Sequence, residues 1–198
     1  MKQQQLKFIQ AGSDLIIPLL GYFIWNWSLF FIVLFLLLDF VVFTILSFLK
    51  DQKVQRFKTQ SYQFPMQQLG ITLGLFLITL AVMNQGFIWH SSGFNIAQET
   101  LDFLATKEMG IPQGFLLLPL IALGSYMQFK TQFLLHRAYE RTSTQAIWKI
   151  QHQTNIVVLA ATILLVALVY FLKLPDWVYL LLIALGSMSY RFVVRTAF

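Results

Sequence analysis

The stretch Trp27–Leu49, WSLFFIVLFLLLDFVVFTILSFL, constrains this chain more than any other. As a helix it would span about 34 Å, enough to cross the ~30 Å hydrocarbon core of a bilayer. It holds one charged residue, Asp39, close to its middle. An ionisable group at that depth is costly and marks a functional candidate by default. Composition extends the argument to the whole chain: 58% of its 198 residues are hydrophobic and 11% charged, against roughly 45–50% and about 25% in soluble domains. At about 20 residues per crossing the chain has room for six or seven crossings and no soluble domain besides. It contains no cysteine, which excludes disulfides, thiolate metal sites and redox-active thiols.

Six apolar segments follow from the hydropathy pattern. Segment one, Leu15–Trp25, carries Pro18 and Gly21 and crosses only if its helix begins near Phe8; the alternative is a re-entrant piece. No small-residue cleavage site follows the N-terminal lysines, so this segment is expected to stay as a first span. Trp25 and Trp27 flank Asn26 as an interfacial belt around a tight turn. Segment two is the Asp39 helix, expected to end at Lys50 before the polar run DQKVQRFKTQ. Segment three, Met66–Trp89, contains Gly70 and Gly74 at the spacing that lets another helix backbone approach closely.

Residues 91–112 are polar, and Asn95 with Gln98 resembles a capping box; a short amphipathic helix at about 95–108 is expected on the outer surface, ended by Gly110 and Pro112. Segment four starts near Phe115, and its helical pattern continues to Arg141, beyond the bilayer. Segments five (Ile156–Leu172) and six (Trp177–Val194) are joined by a turn at Lys173–Asp176. The sequence LIALGS occurs at Leu120–Ser125 and again at Leu182–Ser187, and the small pairs Gly124–Ser125 and Gly186–Ser187 suit close helix packing.

Six crossings put Lys2, Lys7, Lys50, Lys53, Arg56, Lys58, Lys130, Arg137, Arg141, Lys149, Arg191 and Arg195 on one side, leaving only Lys107 and Lys173 of the fourteen basic residues on the other. The positive-inside rule then places both termini in the cytoplasm. This asymmetry explains the formal net charge of +6 without invoking nucleic acid.

Few residues suggest chemistry. Asp39 is read either as a proton or cation site, with Lys130 as a possible ion-pair partner, or as a hydrogen-bonded acid that fixes helix packing. Asp14 fits a helix cap. His90, His136 and His152 have no ligand spacing, so no metal or other cofactor is expected. His136, Arg137, Arg141 and Lys149 form a cytoplasmic basic patch, read as a topology determinant that also attracts anionic headgroups, or as a dock for an acidic partner or a phosphate-bearing lipid. There is no GxSxG elbow and no triad pattern, so no enzyme is expected.

The stretch GYFIWNWSLFFIVLFLLLDFVVFTILSFLK, with Asp14–Pro18 before it and Ser125–Ser143 later, resembles a family of bacterial polytopic membrane proteins that has no assigned activity. Leu36-Leu37-Leu38-Asp39 stands where that family carries an aromatic pair and a glutamate, and Thr44 stands where it carries glycine. The resemblance implies a helical membrane fold and singles out the Asp39 position. It transfers no function. The chain is therefore read as a single all-α transmembrane domain over residues 1–198, a polytopic integral membrane protein of about six helices, or five plus a re-entrant segment. Its expected role is a non-catalytic subunit supporting assembly or stability of a larger inner-membrane complex, with the bilayer and other membrane subunits or further copies of itself as partners. The alternative is a small proton- or cation-coupled transporter or channel using Asp39.

Overall fold

A computed structural model describes residue 12 and residues 16–59, 61–91, 93–105, 107–108 and 111–193, with side chains up to residue 187 except over 106–117. Asp14 and the extension of segment one to Phe8 lie outside the described residues, as do Lys2, Lys7, Gly110 and Arg195. The described chain is almost wholly helical. Residues 16–23 form α1. Next come α2 (Leu29–Thr59), α3 (Met66–His90), α4 (Ile96–Ala105), α5 (Gln113–Gln128), a π-helical turn (Phe129–Leu134), α6 (Ala138–Arg141), α7 (Thr144–Leu172) and α8 (Asp176–Val193). Among the described residues the β-structure is one antiparallel pair of two-residue strands, β1 (Lys107–Glu108) and β2 (Ile111–Pro112).

Three helices, α2, α3 and α7, are long and apolar enough to cross a membrane. Helices α5 and α8 are shorter, at 16 and 18 residues, and Pro119 lies inside α5. Short α4 begins as the capping motif predicts: Asn95 Oδ1 accepts from the backbone N–H of Ala97 at 3.0 Å. The strands that follow it have no counterpart in the sequence reading.

Three expectations change, the first at segment five, whose helix begins at Thr144 and not at Ile156. The Asp39 helix does not stop at Lys50 but runs on to Thr59. Lysine, glutamine and arginine are good helix formers, Gln55 Nε2 donates to Asp51 Oδ2 at 3.0 Å one turn earlier, and Val54 is 1% exposed in an apolar cluster. Segment four, by contrast, is not continuous to Arg141. It widens at Phe129–Leu134, and Arg137 takes a left-handed conformation (φ 50°) that ends the helix. Apolar periodicity is unaffected by a wider turn and hides the break. The aromatic rings favour it: Tyr139 packs edge-on against Phe57 of α2, centroids 5.2 Å apart.

The chain divides into two compact units, and α2, α3 and α7 each contribute to both. One unit comprises residues 1–34, 82–94 and 160–198. In it the rings of Phe30, Phe87 and Phe94 meet one another at 5.1–5.4 Å. Asn26 (φ 51°) turns the chain so that Trp27 folds back onto Gly21 and is buried, not left at a surface belt. A Cβ on Gly21 would run into that indole, and one on Gly86 would sit 2.6 Å from Val166 Cγ2. The other unit comprises residues 35–81 and 95–159. Its apolar cluster is Val54, Phe129, Phe133 and Ile147, with Leu46, Leu49 and Tyr139 packed around it.

Candidate functional site

Within the unit formed by residues 35–81 and 95–159, α2 and α7 meet through polar side chains. Thr44, Ser47 and Asp51 recur at helical spacing on α2; Gln151 and Asn155 do so on α7. Gln151 is fully buried and central. Its Nε2 donates to Thr44 Oγ1 at 2.9 Å and to Asn155 Oδ1 at 3.1 Å. Its Oε1 lies 2.8 Å from the Ser47 hydroxyl, which also reaches the Phe43 carbonyl at 3.0 Å. Bonds of this kind between apolar helices hold them together, at about 0.6 to 2 kcal/mol each.

One turn further along α2, Asp51 is fully buried; Oδ2 accepts from Gln55, while Oδ1 has no hydrogen-bond partner. Near it, the hydroxyl of Tyr62 is also buried without a partner. Burial, and secondly the charge of Asp51, push the Tyr62 phenol above its ordinary pKa. Across the seam, His152 Nε2 lies 2.6 Å from Gln68 Oε1 of α3. The Trp148 indole N–H and the Asn155 Nδ2 group are buried and unpartnered. A buried amide, acid and indole close together are unusual in an apolar setting, and this seam is the candidate site of the chain.

Of the residues singled out by sequence, Asp39 lies half-buried on α2, with an interaction partner of its own, and Lys130 is exposed on the π-helical turn. The glycine pairs stand apart from the contacts within the chain. A Cβ on Gly70, Gly74, Gly124 or Gly186 would meet nothing within 4 Å, and among the described glycines those where it would meet a neighbouring side chain are Gly21 and Gly86. Ser125 and Ser187 are half-buried.

His136, Arg137, Arg141 and Lys149 are exposed. His136 Nδ1 meets the Thr131 carbonyl, and Arg137 lies 3.8 Å from Glu140. The basic end of α2 joins this patch: Lys58 Nζ donates to the Thr142 carbonyl at 2.7 Å, and Lys53 sits 5.2 Å from the Tyr139 ring centroid.

In the other unit, His90 Nε2 lies 2.8 Å from Asp176 Oδ1, and its ring packs edge-on against buried Tyr179. Sequence spacing gave no sign of this pair, whose members are 86 residues apart. The seam was more legible, since Thr44, Ser47 and Asp51 fall on one helical stripe. Gln151 was hidden because it lies near the polar end of α7, where glutamine reads as solvated.

Among the described residues, no group of three or more histidine, aspartate or glutamate side chains is placed to hold a metal ion. The chain matches no family model, no curated protein and no solved structure.

Proposed function

We propose that this chain is a polytopic integral membrane protein, acting as a non-catalytic subunit that supports the assembly or stability of a larger inner-membrane complex. The observation that carries the membrane part of the reading is the uncovered apolar surface of α3 and α7, and the subunit part rests on the open glycines of α3. Only 22% and 11% of their most apolar windows are buried. Lipid alone would satisfy most of that surface. The open glycines Gly70 and Gly74 on α3 add a place where another backbone can approach closely. The seam around Gln151 holds α2 and α7 of the chain together. In this arrangement α1, α5 and α8 complete about six crossings, or five with α1 re-entrant, and the basic end of α2 faces the cytoplasm. The family resemblance around Asp39 belongs to the same proposal.

The test is extraction of the tagged chain, at native expression, in mild detergent, with native mass determination and identification of partners. A stoichiometric complex with other membrane proteins supports the reading; a lone monomer or a homo-oligomer refutes it. A second reading is favoured by the buried polar seam on the Asp39 helix: proton or cation passage. It requires that Asp39→Asn abolish a pH- or cation-dependent flux in liposomes, and unchanged flux sinks it.

A further inference from the structure

Helix α2 is longer than a bilayer needs. Its apolar run, residues 29–49, rises about 31 Å and so matches the ~30 Å hydrocarbon core. The turns that follow, to Thr59, add about 15 Å. A headgroup layer is about 5–8 Å deep on each side. The last turn, residues 56–59, therefore stands beyond it if the helix crosses as proposed above. Phe57 lies in that turn, about 12 Å past Leu49. It is 52% exposed. Tyr139 packs edge-on against it and leaves half its surface open. Lipid does not reach a ring at that height.

Positive charge surrounds the ring. Lys53 and Lys58 lie within one turn of it on α2, and the segment that supplies Tyr139 carries Arg137 and Arg141. All four are exposed. Two contacts draw the segments together: Lys53 Nζ sits 5.2 Å from the Tyr139 ring centroid, and Lys58 Nζ donates to the Thr142 carbonyl at 2.7 Å. The nearby acid, Glu140, is 3.8 Å from Arg137. Among the described residues, Lys53, Lys58 and Arg141 form no ion pair. Gathering like charges costs free energy, which an opposite charge arriving from outside would offset.

We propose that this basic end docks an acidic segment of a partner protein, with an apolar side chain of that segment seated on Phe57. Charge complementarity selects the acidic residues. Phe57 selects protein over lipid, because headgroups supply anions but bring no apolar group to this height. Aromatic and arginine side chains are also those enriched in protein interfaces. The height argument rests on the membrane-subunit reading above. The meeting of ring and charges does not.

The experiment is fluorescence anisotropy on the purified full chain in mild neutral detergent. The probe is a fluorescein-labelled peptide of glutamates around a central leucine; a second peptide has serine in place of the leucine. The wild-type chain binds the leucine peptide more tightly than the serine peptide. Arg141→Glu, at an exposed position, weakens both about tenfold. Phe57→Ser erases the preference for leucine, and Phe57→Leu, which keeps an apolar group, retains it. Lys173→Glu, an exposed charge reversal in the other unit, changes neither affinity. Absence of binding by the wild-type chain overturns the surface, and so does an equal loss in Lys173→Glu, which would mean diffuse attraction. Equal wild-type affinity for the two peptides overturns the seat on Phe57 and with it the protein partner. Displacement of the leucine peptide by phosphatidylglycerol carrying the same total charge overturns the occupant in favour of headgroups. The two readings fail separately: a lone chain on extraction refutes the subunit, while peptide binding that depends on Arg141 and Phe57 still supports the surface.

Discussion

A buried primary amide has two donors and an acceptor to satisfy, and Gln151 satisfies all three with side chains of α2 and α7. Gln151→Leu leaves Thr44, Ser47 and Asn155 with fewer partners in a buried place, so it is expected to lower stability by about 1–3 kcal/mol in denaturant titrations in detergent. Gly86 makes the opposite demand, for absence of volume: Gly86→Ala is expected to destabilise by about 1–3 kcal/mol, and Val166→Ala to restore most of the loss in a double-mutant cycle. Tyr62 yields a pH signature. Its folded pKa is raised, chiefly by burial and then by Asp51. Its contribution to stability is therefore complete below the unfolded value near 10 and is lost as pH rises through the folded value. The phenolate absorbance of the native chain should show one tyrosine titrating late, absent in Tyr62→Phe and shifted downward in Asp51→Asn.

Helices α2, α3 and α7 were legible in the sequence because each carries an unbroken apolar run that only a helix can satisfy out of water. Their ends were not. Asp51 to Thr59 is polar enough to read as a loop, yet Val54 and the Asp51–Gln55 bond hold it helical. The break between α5 and α6 was invisible because Phe129 and Phe133 keep an i, i+4 spacing and no glycine or proline stands at or near Arg137. The glycine pairs were seen, but their role inside the chain was not foreseeable, since a GxxxG spacing does not say whether its neighbour belongs to the same chain. That distinction is testable on α3. Gly70→Leu together with Gly74→Leu should leave the isolated chain folded, because both positions are exposed and a Cβ at either would meet nothing within 4 Å. It should separate the chain from the membrane subunits proposed above in the extraction experiment; an intact complex would place the contact elsewhere.

Charge gives one unit of the chain a basic end. Lys53 and Lys58 of α2 gather with Arg137 and Arg141 at one end of their unit, held there by the Tyr139 ring and the Thr142 carbonyl. If the chain crosses the inner membrane as proposed, trypsin should cut at Arg137 and Arg141 in inside-out vesicles and spare them in right-side-out ones. The π-helical turn at Phe129–Leu134 makes this gathering possible. Such a turn is equivalent to one surplus residue within an α-helix, and each residue of an α-helix accounts for about 100° of rotation. Removing Thr131 would let the helix rewind and swing everything after it by that angle, carrying Tyr139 away from Phe57 and Thr142 away from Lys58. The orientation of the charged end thus depends on the length of the chain at one point, where a single codon gained or lost works as a dial.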